Sequence, residues 1–265
     1  MPVLLRPDGT VQIGWDPSRA VAVRPPEGLS AGSMAFVLRA LAVPMDRISV
    51  QRLAATRGLV DAAGLDAVLS ELRIAGVLRP CDPVSERTLT VRVHGSGPLS
   101  ELLIEGLRCS GARVATTNAD LVVLADSLST HPQLLRELHT ARIPHLPVRV
   151  RDGVGLVGPL VIPEVTSCLV CVDLHRTDGD PAWPALAAQL RDITGCADRP
   201  TLLATAALAL GQLQRVITGV RSGGGAAPSS LNTSWELDVT TTTLSARRWP
   251  RHPLCGCWPE RRKGP

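Results

Sequence analysis

Residues 88–103 read TLTVRVHGSGPLSELL, and the fold turns on this stretch. Leu89–Val93 is a short run rich in branched residues, the signature of a strand. Gly95 and Gly97 interrupt it, and Pro98 opens a segment to Leu107 whose apolar residues recur at helical spacing. Gly95-x-Gly97-x-x-Ser100 approximates the dinucleotide fingerprint GxGxxG, with Ser in the third place. In that fingerprint the glycines let the backbone approach a pyrophosphate at a helix N-terminus. The same residues also describe a tight turn that opens a βα unit and holds no ligand. The acidic residue the fingerprint requires, about 20 residues on at the end of the second strand, is not matched. Asn118 and Asp120 fall there, and Asp120 starts a strand instead of ending one.

Outward from this turn, strand and helix patterns alternate. Arg113–Ala115, Asp120-LVVLA and His145-LPVRVR read as strands, Pro132–Leu138 as a helix, and Asp152-GVGLVGPLVIP as a hairpin-like stretch. Continuous apolar strands between helices predict a parallel sheet covered on both faces. Pro184–Leu190 reads as a short helix after a loop, and Thr201–Val220 as the longest amphipathic helix. Arg221-SGGGAAPSS has the composition of a flexible linker. Ser234-WELDV and Thr243-LSAR read as paired strands before a basic, Cys-bearing tail that carries Trp249 and Trp258.

The first eighty residues read as a separate unit. Val3–Leu5, Val11–Ile13 and Ala20–Val23 are short strand candidates. Met34, Val37, Leu38 and Leu41 mark a helix, Val50, Leu53 and Ala54 a second, and Val68, Leu69, Leu72 and Ile74 a third. Gly76 followed by Val77–Leu78 reads as a helix stop before a strand. Three helices with a small sheet predict a winged-helix-like module, and the break at Arg79-PCDPVSERT predicts a boundary between residues 1–84 and 85–265. Residues 1–90 hold ten Arg against nine acids. A surplus of one is no phosphate footprint, so peptide or protein docking suits the module better than DNA.

Seven cysteines are present, at 81, 109, 168, 171, 196, 255 and 257. Cys168-Leu-Val-Cys171 and Cys255-Gly-Cys257 form two close pairs outside obvious helices, the donor set of a closed structural zinc site. Thioredoxin-like redox work by Cys168 and Cys171 is the alternative, and it wants the first Cys at a helix N-terminus. Cys196 lies in a loop just before the long helix, where a thiol can become nucleophilic; His175 is the base that could approach it in space.

Composition bounds the chemistry. With 45% hydrophobic and 20% charged residues over 265 positions, the chain can bury a substantial core. There is no Tyr and one Phe, Phe36, so the core is aliphatic. Lys263 is the sole lysine, which excludes an internal Schiff base or P-loop lysine. A net charge of +4 is too weak to imply nucleic acid. No uninterrupted apolar run reaches the roughly 18 residues of a membrane span, and MPVLLRPDGT has no basic leader before an apolar block. The expectation is a soluble cytoplasmic protein.

The glycine turn, Ala119-DLVVLAD, Gly155-LVGPLV, Cys168-LVC, a long helix and a closing Cys pair together resemble the E1-like (ThiF/MoeB-type) adenylyltransferase superfamily. More narrowly, Val157-GPLVIPEVTSCLVCVDLHRTDGDPAWPALAAQL and His252-PLCGC resemble the E1-like component of thiazole/oxazole (TOMM) peptide cyclodehydratases. The resemblance implies an α/β fold: a shortened Rossmann-like E1-type domain with structural zinc on Cys168, Cys171, Cys255 and Cys257, preceded by the winged-helix-like module. It also implies a leader-peptide ligand, a separate YcaO-type partner that uses the ATP, and a homodimer.

Activating members carry acidic, Arg and Lys residues before a mid-domain Asp. Here Gly95 and Asp120 are about 25 residues apart, too few for two further βα units, each a strand plus a crossover of roughly a dozen residues or more. Asp126 matches the place of the mid-domain acid without its ATP-binding companions. Gly95, Gly97 and Asp126 are therefore expected to form a vestigial cofactor site, with ATP lost and no catalysis by the chain alone. The alternatives are an adenylyltransferase or sulfur-transfer enzyme using Cys196, and a zinc-bearing winged-helix DNA-binding regulator.

Overall fold

The computed structural model describes residues 1–78, 88–222 and 226–257. The expected boundary segment 79–87 with Cys81, the centre of the linker, Trp258 and Lys263 lie outside the described residues. The chain divides into two compact units, Met1–Val84 and Ser85–Pro265.

In the first unit, β1 (Val3–Leu5), β2 (Val11–Ile13) and β3 (Val21–Val23) form an antiparallel sheet in that order. Three helices follow, and each begins at a side-chain cap that satisfies a free amide. Ser30 accepts from Ser33 N at the start of α1 (Ala31–Ala40), Asp46 from Ser49 N at α2 (Arg47–Ala55), and Asp61 from Gly64 N at α3 (Ala62–Ile74). Val11, Met34, Val37, Leu65 and Leu72 are fully buried at the centre of this unit.

Two expectations fail here. Leu65, Leu69 and Leu72 form the buried stripe of α3, whereas Ile74 is 91% exposed. Val77 and Leu78 form no strand: both amides turn back to the Leu72 carbonyl, at 2.9 and 3.0 Å, with Gly76 supplying a φ of 71°. They close the C-terminus of α3, so its last carbonyls find partners within the same turn.

The second unit is a seven-stranded sheet in the order β10-β9-β8-β7-β6-β4-β5. Strand β4 (Thr90–His94) leads into α4 (Pro98–Arg108), β5 (Arg113–Val114) and β6 (Leu121–Ala125). Next come α5 (Pro132–Thr140), β7 (His145–Arg151) and β8 (Val154–Val157). Helices α6 (Leu169–Gly179), α7 (Trp183–Gln189) and α8 (Arg199–Ser222) precede the strands β9 (Thr233–Asp238) and β10 (Thr243–Arg248).

Only β5, β4, β6 and β7 are mutually parallel. The departure from an all-parallel sheet has a local cause. Asp152 and Gly153, at φ 51° and 79°, make a two-residue reversal after β7, which can join only antiparallel strands.

Burial on both faces explains the continuous apolar runs. Leu121, Val123 and Ala125 of β6 join α4 and α8 in one core cluster, while Val122 and Leu124 join α5, α6 and Trp249 in another. Helix α8 is long and apolar enough to cross a membrane, with a mean hydropathy of 1.2 over Arg199–Val220, a length that counting uninterrupted apolar residues missed. Leu202, Ala206, Ala209, Leu213 and Ile217 form a buried stripe along it, packed on α4, β7 and β8. The helix also continues through Ser222, two residues into the expected linker.

Candidate metal centre

The centre is built where α6 begins. The loop before it is pinned by Asn232, whose Oδ1 accepts the Ser167 N–H at 2.7 Å and the Ser167 hydroxyl at 3.0 Å. Cys168 is then the N-cap of α6, and Cys171 lies in its first turn. This corrects the expectation that the CxxC lies outside a helix and that Val172 continues a strand. The expected loop from Asp173 is likewise the rest of α6 as far as Gly179, and the short helix expected after it is α7. Within it, Trp183 Nε1 donates to Asp173 Oδ1 at 3.0 Å, and the Arg176 guanidinium sits 4.6 Å from the Trp183 ring.

The second pair arrives from the tail. Trp249 is buried, donating from Nε1 to Ser234 Oγ at 2.8 Å, and its backbone N–H donates to the Asn232 carbonyl at 2.7 Å. Asn232 therefore positions both the approach to Cys168 and the approach to Cys255. The Cys255 N–H closes a turn onto the His252 carbonyl at 3.0 Å.

These elements bring four free thiols together. Sγ–Sγ separations are 3.7 Å for Cys168–Cys171, 3.5 Å for Cys168–Cys255 and 3.5 Å for Cys171–Cys257. All four sulfurs lie within 4.8 Å of one another. Four sulfurs placed tetrahedrally about 2.3 Å from a zinc ion would be about 3.8 Å apart, so the set fits a tetrahedral metal.

The electrostatics agree with that fit. A hydrogen bond from Cys168 pulls the Cys171 thiol down to about 4, with the His252 backbone N–H adding to the effect. Donating that bond, together with burial, raises Cys168, and burial pushes Cys257 up to about 12. The Cys171 thiolate forms readily, while Cys168 and Cys257 are held protonated by burial and by their thiol neighbours. A divalent cation would favour the thiolate form of all four. The helix N-terminus that a redox CxxC wants is present, yet Cys168 and Cys171 each have a further thiol 3.5 Å away from the tail. A four-sulfur metal site accounts for that arrangement; a two-cysteine redox pair does not.

Residues outside the expected ligand set support the centre. The His252 ring is buried, and Asp178 and His175 of α6 surround it. These three offer donor atoms within 4.8 Å of one another, as a second cation site would. Both His252 nitrogens are already engaged, however: Nδ1 accepts the Leu254 N–H at 3.1 Å and Nε2 bonds Asp178 Oδ2 at 2.9 Å. A cation on Nε2 would need a ring stripped of its last proton, so the cluster acts as a latch. A His three residues before the Cys pair is the only sequence trace of it.

Other expected residues are placed as follows. Gly95, Gly97 and Asp126 do meet, at the C-terminal ends of β4 and β6, where Gly95 and Asp126 line a crevice of about 280 Å³. Asp126 is 3% exposed and accepts the backbone N–H groups of Gly97 at 2.9 Å, Leu99 at 2.9 Å and Ser100 at 3.2 Å. The α4 N-terminus, where a nucleotide phosphate would bind, already holds a carboxylate, and the residues present do not fit a nucleotide. Asp120, expected to start the strand, lies just before β6, its Oδ2 accepting the Thr90 N–H at 2.8 Å.

Cys196 is exposed, and no hydrogen bond joins it to a base among the described residues. His175, the base expected to approach it, instead bonds the Pro250 carbonyl at 3.0 Å and packs on His252. Cys109 is exposed at the end of α4.

No family model and no curated protein matches this sequence. Solved structures do match, and they are heterocyclases and MccB-type E1-like proteins. A heterocyclase in complex with substrate and cofactor superposes with a TM-score of 0.69 at 17% identity, over 97% of this chain and 38% of the other. The heterocyclase TruD gives 0.68 at 18% identity, over 97% and 42%. MccB of E. coli, solved with ATP, gives 0.59 at 12% identity, over 97% of each chain. The likeness is one of fold, and the chain spans about two fifths of the length of the heterocyclases it matches.

Proposed function

We propose that this chain is a non-catalytic E1-like scaffold. Its first unit, a winged-helix-like module over residues 1–84, binds a leader peptide. Its second unit, stapled by zinc on Cys168, Cys171, Cys255 and Cys257, presents that peptide to a separate YcaO-type enzyme in the formation of azoline rings. The observation that carries the reading is the match over 97% of this chain, both units included, to a heterocyclase solved with its substrate.

Local geometry supports the peptide part. Among the described residues β3 pairs only with β2, so Val21–Val23 offers an open sheet edge to an extended strand. The weak charge surplus of residues 1–90 does not suit a DNA-binding regulator. The reading implies a cytoplasmic chain that works without nucleotide of its own, and a homodimer like other proteins of this fold.

The test is selection of a displayed random peptide library on the full-length chain, followed by hydrogen exchange of the best complex. The expected result is enrichment of extended peptides that protect the amides of β3 and α3. No enrichment, or protection confined to the second unit, would overturn it.

A further inference from the structure

We infer that Asp126 is a built-in anion: its carboxylate takes the place of a nucleotide phosphate in the crevice between β4 and β6 and so denies this fold a nucleotide. After β4 the chain runs to β5 on one side, then returns to β6 on the other. The ends of β4 and β6 therefore flank the point where the strand order reverses, where open α/β sheets bind their ligands.

Helix α4 points its N-terminus at that point, and its free amides would bind a phosphate there. Pro98 has no N–H to offer. The N–H groups of Gly97, Leu99 and Ser100 are all directed to Asp126. No side chain from the helix's own cap competes, since the N-cap is Gly97. An incoming phosphate would have to expel a buried group of its own charge sign from donors already satisfied.

The glycines tell the same story independently. A Cβ on Gly95 would lie 2.8 Å from Asp126 Oδ2, and one on Gly97 would lie 2.7 Å from Oδ1. In a dinucleotide fingerprint such glycines admit a pyrophosphate; in this chain they admit a side chain. Asp126 is held in place by its backbone as well. Its N–H donates to the Val148 carbonyl at 3.0 Å, and its own carbonyl accepts from Gly195 N–H at 3.1 Å. Its φ of 70° is one that Asp tolerates better than most residues and that glycine adopts freely.

The experiment compares the full-length wild-type chain with Asp126→Gly, which suits that backbone angle. Thermal unfolding is followed in sodium chloride and in sodium sulfate of equal ionic strength, and Mg·ATP is titrated by calorimetry. The wild type should show no heat with ATP up to millimolar concentration and a midpoint shift with sulfate no larger than that of a surface-charge control. Asp126→Gly should lose about 4 °C or more in chloride. Sulfate at about 10 mM should restore at least half of that loss by occupying the vacated amides.

If Asp126→Gly unfolds in chloride, its refolding yield in sulfate against chloride gives the same readout. Submillimolar ATP binding by the wild type, or recovery no better in sulfate than in chloride, would overturn the inference. It deepens the nucleotide-independent part of the proposed function and rests on it there. Peptide binding by residues 1–84 can hold or fail whichever way this test comes out.

Discussion

His252 donates from Nε2 to Asp178 Oδ2 at 2.9 Å, and this bond fixes the proton on its ring. Nδ1 accepts the Leu254 N–H at 3.1 Å, so it carries the lone pair, and the ring is the neutral Nε2–H tautomer. The His252 backbone is engaged too, its carbonyl by Cys255 N–H and its N–H by the Cys171 sulfur. One residue thus makes two bonds to α6, at Asp178 and Cys171, and two to the tail, at Leu254 and Cys255.

Loss of the ring should loosen the metal without touching a sulfur. His252→Ala is expected to weaken zinc binding by about 10- to 100-fold, the usual effect of removing support around a metal ligand. Asp178→Asn keeps an acceptor for a neutral N–H and should change affinity by less than about threefold. Competition with a chromogenic chelator measures both. Equal losses in the two variants would mean that the Asp178 charge, not the tautomer, does the holding.

Removal of the metal should be felt locally. The purified chain is expected to carry one zinc, and Cys255→Ser to lose it. Stability of the second unit should then fall on the order of 3 kcal/mol, the linkage value for a metal present at about 100 times its Kd. Hydrogen exchange should accelerate over 249–257 and the start of α6 while β4, β6 and β7 stay protected, because the cluster around Leu103, Val123 and Leu213 does not contact the sulfurs. Unchanged metal content in Cys255→Ser would rule out the four-sulfur site.

Much of this was legible in the sequence because it is local. The alternation of apolar runs marked β4, β6 and β7, and the helical spacing of α4 and α8 marked the layer that covers them. The two cysteine pairs were legible as one candidate donor set although 83 residues lie between them, and the fold brings their four sulfurs together. What could not be read depends on contacts between distant segments. CLVCVDL begins as a short continuous apolar run, compatible with a strand, and only the turn pinned by Asn232 makes Cys168 a helix cap; short apolar runs do not distinguish the two. Gly95 and Gly97 correctly signalled a close approach at the head of α4. The approaching group, Asp126, lies about 30 residues away; the resemblance placed it beside these glycines, but nothing local marked its carboxylate as the acceptor of the α4 amides. The His252–Asp178 latch spans 74 residues and is invisible for the same reason.

His145 should make the fold acid-sensitive. It is fully buried at the start of β7, its Nδ1 donates to the Ile143 carbonyl at 3.0 Å, and Nε2 has no partner among the described residues. Burial is the main cause that lowers its pKa from 6.5 to about 4, with the nearby His139 ring, 5.7 Å away, acting in the same direction. Between those values the unfolded chain binds the proton and the folded chain does not, so stability falls as pH drops through the window. The shift corresponds to about 3 kcal/mol once pH is below 4. His145→Asn retains a donor for the Ile143 carbonyl, so it should lower the denaturant midpoint at pH 7 yet flatten its slope between pH 6.5 and 4. An unchanged slope would assign the acid sensitivity to other groups.

Helix α8 should show two faces of unequal importance. Leu213 is 1% exposed within the stripe that packs on α4, β7 and β8, whereas Leu203 is 47% exposed on the other side. Close approach sharpens the inner contact, since a Cβ on Gly106 of α4 would collide with the Leu210 side chain. Leu213→Ala should therefore cost about 2–5 kcal/mol, the range for emptying a packed site that relaxes incompletely. Leu203→Ala, which leaves no cavity, should cost under about 1 kcal/mol. Urea midpoints of the two variants measure the difference. Comparable losses would mean that the outer face of α8 is also covered in solution, by a second copy of the chain or another partner, and would identify Leu203 as a point of that contact.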